Sequence, residues 1–169
     1  MDNGLACLDL LASTPAILRG LMAGLAEADA VWKPAPDRFS VAEVLAHLTL
    51  SETHCYRARV DLMLEQDRPR LAADDASLHY AEYAGRDPEE DFAHFEEQRE
   101  TNVEFLRRLP RGAGTRIGVH ETLGEFTLNQ MLHEWAIHDL GHIRQVAELV
   151  RARLLAGAGP WASTTPVSP

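Results

Sequence analysis

The chain has 169 residues, of which 46% are hydrophobic and 25% charged, as is typical of a single globular domain with a sizeable core. Its 26 acidic and 16 basic residues give a formal net charge of -10, which disfavours nucleic acids and anionic membrane surfaces as partners. No apolar run is long enough to span a bilayer, the N-terminus lacks a signal peptide's basic start, and Cys7 and Cys55 form no paired motif, so we expect a cytoplasmic protein with reduced thiols.

The N-terminal part of the chain predicts a first helix over about residues 4–27, because leucines recur there at helical spacing. Pro15 interrupts this pattern. It either kinks the helix or restarts it, with Ser13 or Thr14 as the N-cap of the second part. The next stretch, residues 32–39, contains two prolines and is therefore predicted to be a loop.

A second helix is predicted from Ser40 to about residue 66. Ser40 and Glu43 have the three-residue spacing of a capping box, which marks the start of a helix. His47 lies at the edge of the apolar face of this helix and is therefore directed towards the protein interior. That face is formed by Val41, Val44, Leu45, Leu48, Cys55, Leu62 and Met63.

Residues 67–87 form a polar, irregular connection that is long for a compact bundle. Such a segment is either a crossover between helices or a functional lid. Tyr80 and Tyr83 indicate that part of it packs against the rest of the domain.

A third helix begins at Asp87, which has the character of an N-cap, followed by Pro88 at the first helical position. Pro110 ends it. Residues 111–126 contain four glycines and are predicted to form a second long connection, in which residues 115–119 form a short strand.

The fourth helix is predicted to start at a second capping box, formed by Thr127 and Gln130, and to run to about Ala156. The sequence therefore predicts an all-α protein, a four-helix bundle over residues 1–156 with long loops between helices 2 and 3 and helices 3 and 4. Residues 157–169 are predicted to be a flexible tail.

Two histidines on the fourth helix, His138 and His142, are one helical turn apart and lie within its apolar face. Two imidazoles on an inward face suggest a metal site, and His47 on the second helix is the candidate third ligand. Three imidazoles suit Zn, Ni, Cu or Fe(II), and three protein ligands with an open fourth position are typical of catalytic zinc sites.

Other interpretations of these histidines remain open at this point. A pair of histidines with this spacing also occurs by chance, with the rings hydrogen-bonded in a core that holds no metal. The zincin motif does not fit, since His133 and His138 are one residue too far apart and the pair at His138 and His142 has Asp139 in place of the glutamate. Glu43 and Glu134 are the candidate acceptors for the second N–H groups of His47 and His138.

Two stretches of the chain resemble the DinB-like superfamily of bundle metalloenzymes, which includes thiol-dependent S-transferases and a thiol-dependent maleylpyruvate isomerase. They are Phe39-Ser-Val-Ala-Glu-Val-Leu-Ala-His47-Leu48, and Thr127-Leu-Asn-Gln-Met-Leu132 together with His138-Asp-Leu-Gly-His142-Ile-Arg-Gln145. The resemblance extends over about residues 5–155. It implies a mirror variant of the up-and-down four-helix bundle and a divalent metal on His47, His138 and His142.

The function that this resemblance implies is a metal-dependent enzyme, a transferase or a hydrolase, in which the metal activates a thiol or water. A thiol-dependent S-transferase or isomerase is the more specific expectation. We expect zinc first and nickel or iron next, a low-molecular-weight thiol as a second cofactor, a small-molecule substrate and a homodimer. The alternative is a non-catalytic bundle, related to stress, that binds a metal or a small ligand.

Overall fold

The computed structural model describes residues 3–73 and 80–164, which form a four-helix bundle with a small sheet. The bundle consists of α1 (Leu8–Met22), α3 (Val41–Ser51) with its continuation, α6 (Pro88–Arg108) and α7 (Leu128–Leu155). A π-helical turn (Glu52–Arg57) joins α3 directly to α4 (Ala58–Glu65). The connections contain two short helices, α2 (Glu27–Ala30) and α5 (Tyr80–Tyr83), and a 3-10 turn at Ala113–Thr115. A second 3-10 turn, Gly159–Thr164, follows α7.

Helix α6 packs against α1 and α3, while α7 packs against α1 and meets α3. The predicted bundle architecture is therefore confirmed. In the described part of the chain, each helix is too short or too polar to cross a membrane.

Three of the four bundle helices, α3, α6 and α7, begin where the sequence predicts. Ser40 Oγ accepts a hydrogen bond from the Glu43 N–H at 3.2 Å, and the Ser40 N–H donates to Glu43 Oε2 at 2.9 Å. Thr127 and Gln130 form the same reciprocal pair at the start of α7. The Asp87 carboxylate accepts from two backbone N–H groups in the first turn of α6. These bonds satisfy N–H groups that have no partner within their helices.

The first helix differs from its prediction. It does not extend over residues 4–27, since α1 ends at Met22 and α2 is a separate turn. Pro15 lies inside α1 without ending it, and neither Ser13 nor Thr14 acts as an N-cap. The Ser13 hydroxyl instead donates to the Leu10 carbonyl of the preceding turn, and the Thr14 side chain is buried.

The second helix reaches Glu65, close to the predicted end, but its π-helical turn changes which side chains face inward. Cys55 and Leu62, both predicted on the apolar face, are only half-buried. Tyr56 and Val60 are buried in their place.

The two long connections pair with each other in a three-stranded sheet. Strand β1 (Arg70–Leu71) runs parallel to β2 (Ile117–His120), which is antiparallel to β3 (Gly124–Thr127). The prediction of a strand at residues 115–119 was correct in kind but began two residues early, and β1 and β3 were not predicted.

A glycine is required at position 118 by the packing of this sheet. A Cβ atom there would lie 2.9 Å from Leu71 Cδ1 and 3.2 Å from Phe126 Cζ.

Tyr83 is buried, as the sequence predicts, whereas the side chain of Tyr80 and residues 74–79 lie outside the described part of the chain. That this connection acts as a lid stays a prediction. The predicted flexible tail contains the 3-10 turn at Gly159–Thr164, and residues 165–169 also lie outside the described part.

The buried apolar side chains form two clusters. The first is built on α1, the π-helical turn, α4, α6 and α7, and the second mainly on α1, α3, α6 and α7. Tyr56 belongs to the first cluster and contacts His138, while Phe39 packs against the second and contacts His47. The predicted ligand histidines therefore touch both parts of the core.

Candidate metal centre

Three histidines from two helices converge within the bundle. His47 projects from α3, and His138 and His142 project from α7 one turn apart. His138 Nε2 lies 2.9 Å from His47 Nε2 and 3.2 Å from His142 Nε2. One nitrogen from each ring can be chosen so that all three lie within 4.8 Å of one another. The structure therefore brings the three predicted ligands together, with His138 in the middle.

The second nitrogens of the outer two rings have hydrogen-bond partners. His47 Nδ1 lies 3.0 Å from the Tyr83 hydroxyl oxygen, and His142 Nδ1 lies 2.9 Å from Gln145 Oε1. His138 Nδ1 is buried and has no hydrogen-bond partner within residues 3–73 and 80–164. The ring of His138 is therefore held by packing.

The prediction that Glu43 and Glu134 accept hydrogen bonds from the ring N–H groups of His47 and His138 was wrong. Glu43 caps α3 through Ser40 and forms an ion pair with Lys33 at 2.6 Å. Glu134 is exposed, and its charge acts on the phenol of Tyr56, whose pKa it raises. The residue four positions before a histidine was therefore a poor guide to the partner of its ring.

Burial keeps two of the site histidines, His138 and His142, neutral. It lowers the pKa of His138 to about 2, with the neighbouring His142 and His47 adding to the effect. Burial also lowers the pKa of His142, against the opposing influences of Gln145 and Asp139. At neutral pH both rings therefore keep a nitrogen lone pair, which is the form that binds a metal.

Aromatic side chains form one wall of the cluster. The Tyr56 ring stacks on Trp135, with centroids 4.4 Å apart and planes 5° from parallel, and meets His138 edge-on at 5.4 Å. Burial raises the pKa of the Tyr56 phenol well above its usual value, and the charge of Glu134 adds to this. Tyr56 is therefore a neutral, rigid surface against which His138 packs.

The sequence of this chain matches the family model described as the DinB superfamily over residues 10–146, which is more than half of the chain and includes all three histidines. The chain belongs to the DinB superfamily. No curated protein matches it significantly.

Among solved structures, the DinB fold of this chain is similar to that of YfiT from Bacillus subtilis, at a TM-score of 0.77 and 23% sequence identity. The similarity covers 86% of this chain and 85% of that one. YfiT is described as a probable metal-dependent hydrolase with an unusual four-helix bundle topology. At this identity the comparison supports the fold.

This DinB protein also contains a buried ionic network of Glu52, Arg99 and Asp139, which sequence reasoning missed. Arg99 Nε and Nη2 donate to Glu52 Oε1 at 2.9 and 2.5 Å. Arg99 Nη1 donates to Asp139 Oδ2 at 2.5 Å, and Nη2 donates to Asp139 Oδ1 at 3.0 Å. All three side chains are at most 2% exposed, so the network links the π-helical turn, α6 and α7 deep in the bundle.

Neutral side chains complete this network. Asn102 Nδ2 donates to Glu52 Oε2 at 2.9 Å, Trp135 Nε1 donates to Glu52 Oε1 at 3.2 Å, and the Thr14 hydroxyl donates to Asp139 Oδ2 at 2.7 Å. Buried charges require such partners to offset the loss of water. Burial still raises the pKa of Glu52, against the opposing effect of Arg99.

Pro15 explains one further bond of the network. A proline has no N–H, so the carbonyl four residues earlier, that of Leu11, loses its usual partner within the helix. Arg99 Nη1 donates to that carbonyl at 2.8 Å. The guanidinium therefore donates to this carbonyl of α1, which has lost its partner within the helix, as well as to the two carboxylates.

The network adjoins the histidines, because Asp139 directly follows His138 in α7. A sequence signal for it does exist. Arg99 lies four residues after Phe95 and Asp139 lies four residues after Trp135, so both charged side chains occupy positions on the apolar faces of their helices.

The remaining histidines are not part of this cluster. His54, His94 and His133 are exposed, and His120 is half-buried in β2. His79 lies outside the described residues. Cys7 and Cys55 are both half-buried and are not joined by a disulfide in the described part of the chain.

Proposed function

We propose that His47, His138 and His142 hold a divalent metal ion, and that this protein is a metal-dependent enzyme acting on a small molecule. The observation that carries the proposal is the convergence of three histidine ring nitrogens from two helices, at distances of 2.9 and 3.2 Å. Membership of the DinB superfamily adds to it, because the matched region includes all three histidines.

The hydrogen bonds behind two of the rings fit a bound cation. Gln145 Oε1 can only accept, so it takes the Nδ1 proton of His142 and leaves a lone pair on Nε2. The Tyr83 hydroxyl can accept the Nδ1 proton of His47 in the same way. Lone pairs directed at one point repel each other, and a cation between them removes that repulsion.

The donor set also indicates the kind of ion. Three neutral imidazoles suit Zn²⁺ first and Ni²⁺ or Fe²⁺ next, and three protein ligands are the pattern of catalytic zinc sites. Bound there, a divalent cation supplies Lewis-acid chemistry that makes water or a thiol a nucleophile near neutral pH. The stacked pair of Tyr56 and Trp135 excludes water from the side of His138 that it covers.

Hydrolysis is the first activity to test, because the structurally similar YfiT is described as a probable metal-dependent hydrolase. Thiol-dependent group transfer or isomerisation with a low-molecular-weight thiol is the second, and it rests on the resemblance to DinB-like enzymes. A non-catalytic, metal-stabilised bundle is the outcome if neither activity is found. We also retain a homodimer as a proposal, to be measured by analytical ultracentrifugation.

Metal analysis tests the site itself. Protein purified without an affinity tag or chelator, then loaded with Zn²⁺ and desalted, should hold one equivalent of metal. His47→Ala and His138→Ala should each lose it, because they lie on different helices of the same site. His133→Ala is the matched control, since His133 lies on α7 but is exposed and bonds to the Asn129 carbonyl.

The proposal fails if the wild-type protein holds no metal, or if His133→Ala loses as much metal as His138→Ala. Activity is then measured on the loaded protein with activated esters and amides, and separately with low-molecular-weight thiols and electrophilic acceptors. A metalloenzyme loses turnover in His138→Ala. In a non-catalytic bundle, His138→Ala lowers only the melting temperature.

A further inference from the structure

Tyr83 comes from the long connection between α4 and α6, yet it reaches the metal centre. It is the last residue of α5 and only 4% exposed. Its ring meets Phe39 edge-on at 5.7 Å and His47 edge-on at 5.5 Å, with interplanar angles of 85° and 84°. These two contacts fix the ring, and its hydroxyl oxygen then lies 3.0 Å from His47 Nδ1.

This position matters because His47 Nε2 faces the other histidines. A histidine that binds a metal through Nε2 carries its proton on Nδ1, and the partner of that N–H fixes the tautomer and the plane of the ring. A phenol oxygen can accept such a proton. Tyr83 therefore stands where metalloproteins place the group that orients a ligand.

Tyr83 differs from the partner of the second ligand in an important way. Gln145, which bonds His142, lies three residues further along the same helix, so α7 orients its own histidine. His47 is oriented from a different part of the chain, 36 residues away in sequence. Correct placement of His47 therefore depends on the docking of the connection that carries α5.

We propose that Tyr83 is a positioning residue of the metal centre, which holds the Nδ1 proton and the ring plane of His47 and so links the α4–α6 connection to metal affinity. This inference rests on the proposed three-histidine site. Loss of the hydroxyl removes the acceptor for the Nδ1 proton, and loss of such a partner weakens metal binding by about 10–100-fold.

The test is Tyr83→Phe, which removes the hydroxyl but keeps the ring that packs against Phe39 and His47. Thr49→Val is the matched control. It also removes one buried hydroxyl, from α3 itself and two residues after His47, but that hydroxyl donates to the Asp91 carbonyl at 2.8 Å and not to a ring nitrogen. Co²⁺ is the probe, with affinity measured by competition with a chromophoric chelator and ligand geometry by the visible d–d absorption.

We expect Tyr83→Phe to bind Co²⁺ about 10–100-fold more weakly than the wild type, with shifted d–d bands. Thr49→Val should keep the wild-type affinity and spectrum. Unchanged affinity and spectrum in Tyr83→Phe overturn the inference while the three-histidine site stands. An equal loss in both variants overturns it as well, since general packing then explains the effect. If the wild type binds no Co²⁺, the proposed site itself fails.

Discussion

Arg99 is the residue whose removal should damage the fold most. It donates five hydrogen bonds, two to Glu52, two to Asp139 and one to the Leu11 carbonyl. Arg99→Met removes all five and keeps a long, unbranched side chain of similar helix propensity. The substitution therefore tests the loss of the guanidinium group without weakening the helix that carries it.

The expected cost follows from what the change leaves behind. Removing one partner of a buried ion pair costs roughly 3–5 kcal/mol, because the other charge stays buried without compensation. Arg99 serves two carboxylates that are each 1% exposed, so we expect the upper end, about 5 kcal/mol. Domains of this kind are stable by about 5–15 kcal/mol, so the variant should be close to unfolding.

The free energy of unfolding is measured by urea titration with far-UV circular dichroism at pH 7. Arg108→Met is the control on the same helix, where the arginine is 77% exposed, and it should change stability by no more than about 0.5 kcal/mol. A loss below about 1 kcal/mol in Arg99→Met would refute the account of the network.

The pH dependence gives an independent check. Burial raises the pKa of Glu52 above its ordinary 4.5, so the folded state binds this proton more tightly than the unfolded state does. A carboxyl with a raised folded-state pKa stabilises the fold at pH values below the unfolded pKa, and this effect is lost as the pH rises through the folded pKa. Without Arg99 the folded pKa rises further, so the deficit of Arg99→Met should shrink as the pH falls from 7 towards 4.5.

Substitutions at three further positions test the packing and the caps by the same urea titration. Gly141→Ala should raise the free energy of unfolding by about 1 kcal/mol, because a Cβ atom there meets nothing within 4 Å and glycine disfavours a helix interior. Gly118→Ala should lower it by about 1–3 kcal/mol, because its Cβ atom would lie 2.9 Å from Leu71 Cδ1, and an unchanged stability would contradict this packing. Ser40→Ala should cost about 1 kcal/mol by removing the α3 cap, whereas Ser40→Thr should retain most of it.

The three-histidine cluster could be predicted from the sequence because it depends on local signals. His138 and His142 are one turn apart on any helix. The capping box at Ser40 sets the start of α3, and His47 follows seven residues later, about two turns into the helix. Which atoms orient the rings could not be predicted, because Tyr83 reaches His47 through tertiary packing.

The buried ionic network shows a different limit. A charged residue is normally taken as surface, because burying an unpaired charge is costly. Arg99, Glu52 and Asp139 are each unfavourable alone and acceptable only together, and they are separated by 40 residues or more of sequence. Their positions on apolar faces indicate that each charged side chain needs a partner, but not which residue is that partner. The partners are set by tertiary packing, which brings α6 against the π-helical turn and places Asp139 beside Arg99.

The π-helical turn explains why the predicted apolar face of the second helix fails in its second half. After Leu48, buried side chains recur at steps of four residues, at Glu52, Tyr56 and Val60, and Thr49 and Met63 are buried as well. In an α-helix each such step moves about 40° around the axis, so these side chains would drift off one face. A π-helical turn is wider and absorbs that drift. A fixed period of 3.6 residues therefore wrongly predicts that Cys55 faces inward. The wider turn instead brings Glu52 to Arg99 and Tyr56 to His138. The π-helical turn lies between the ionic network and the metal centre, and it supplies one side chain to each of them.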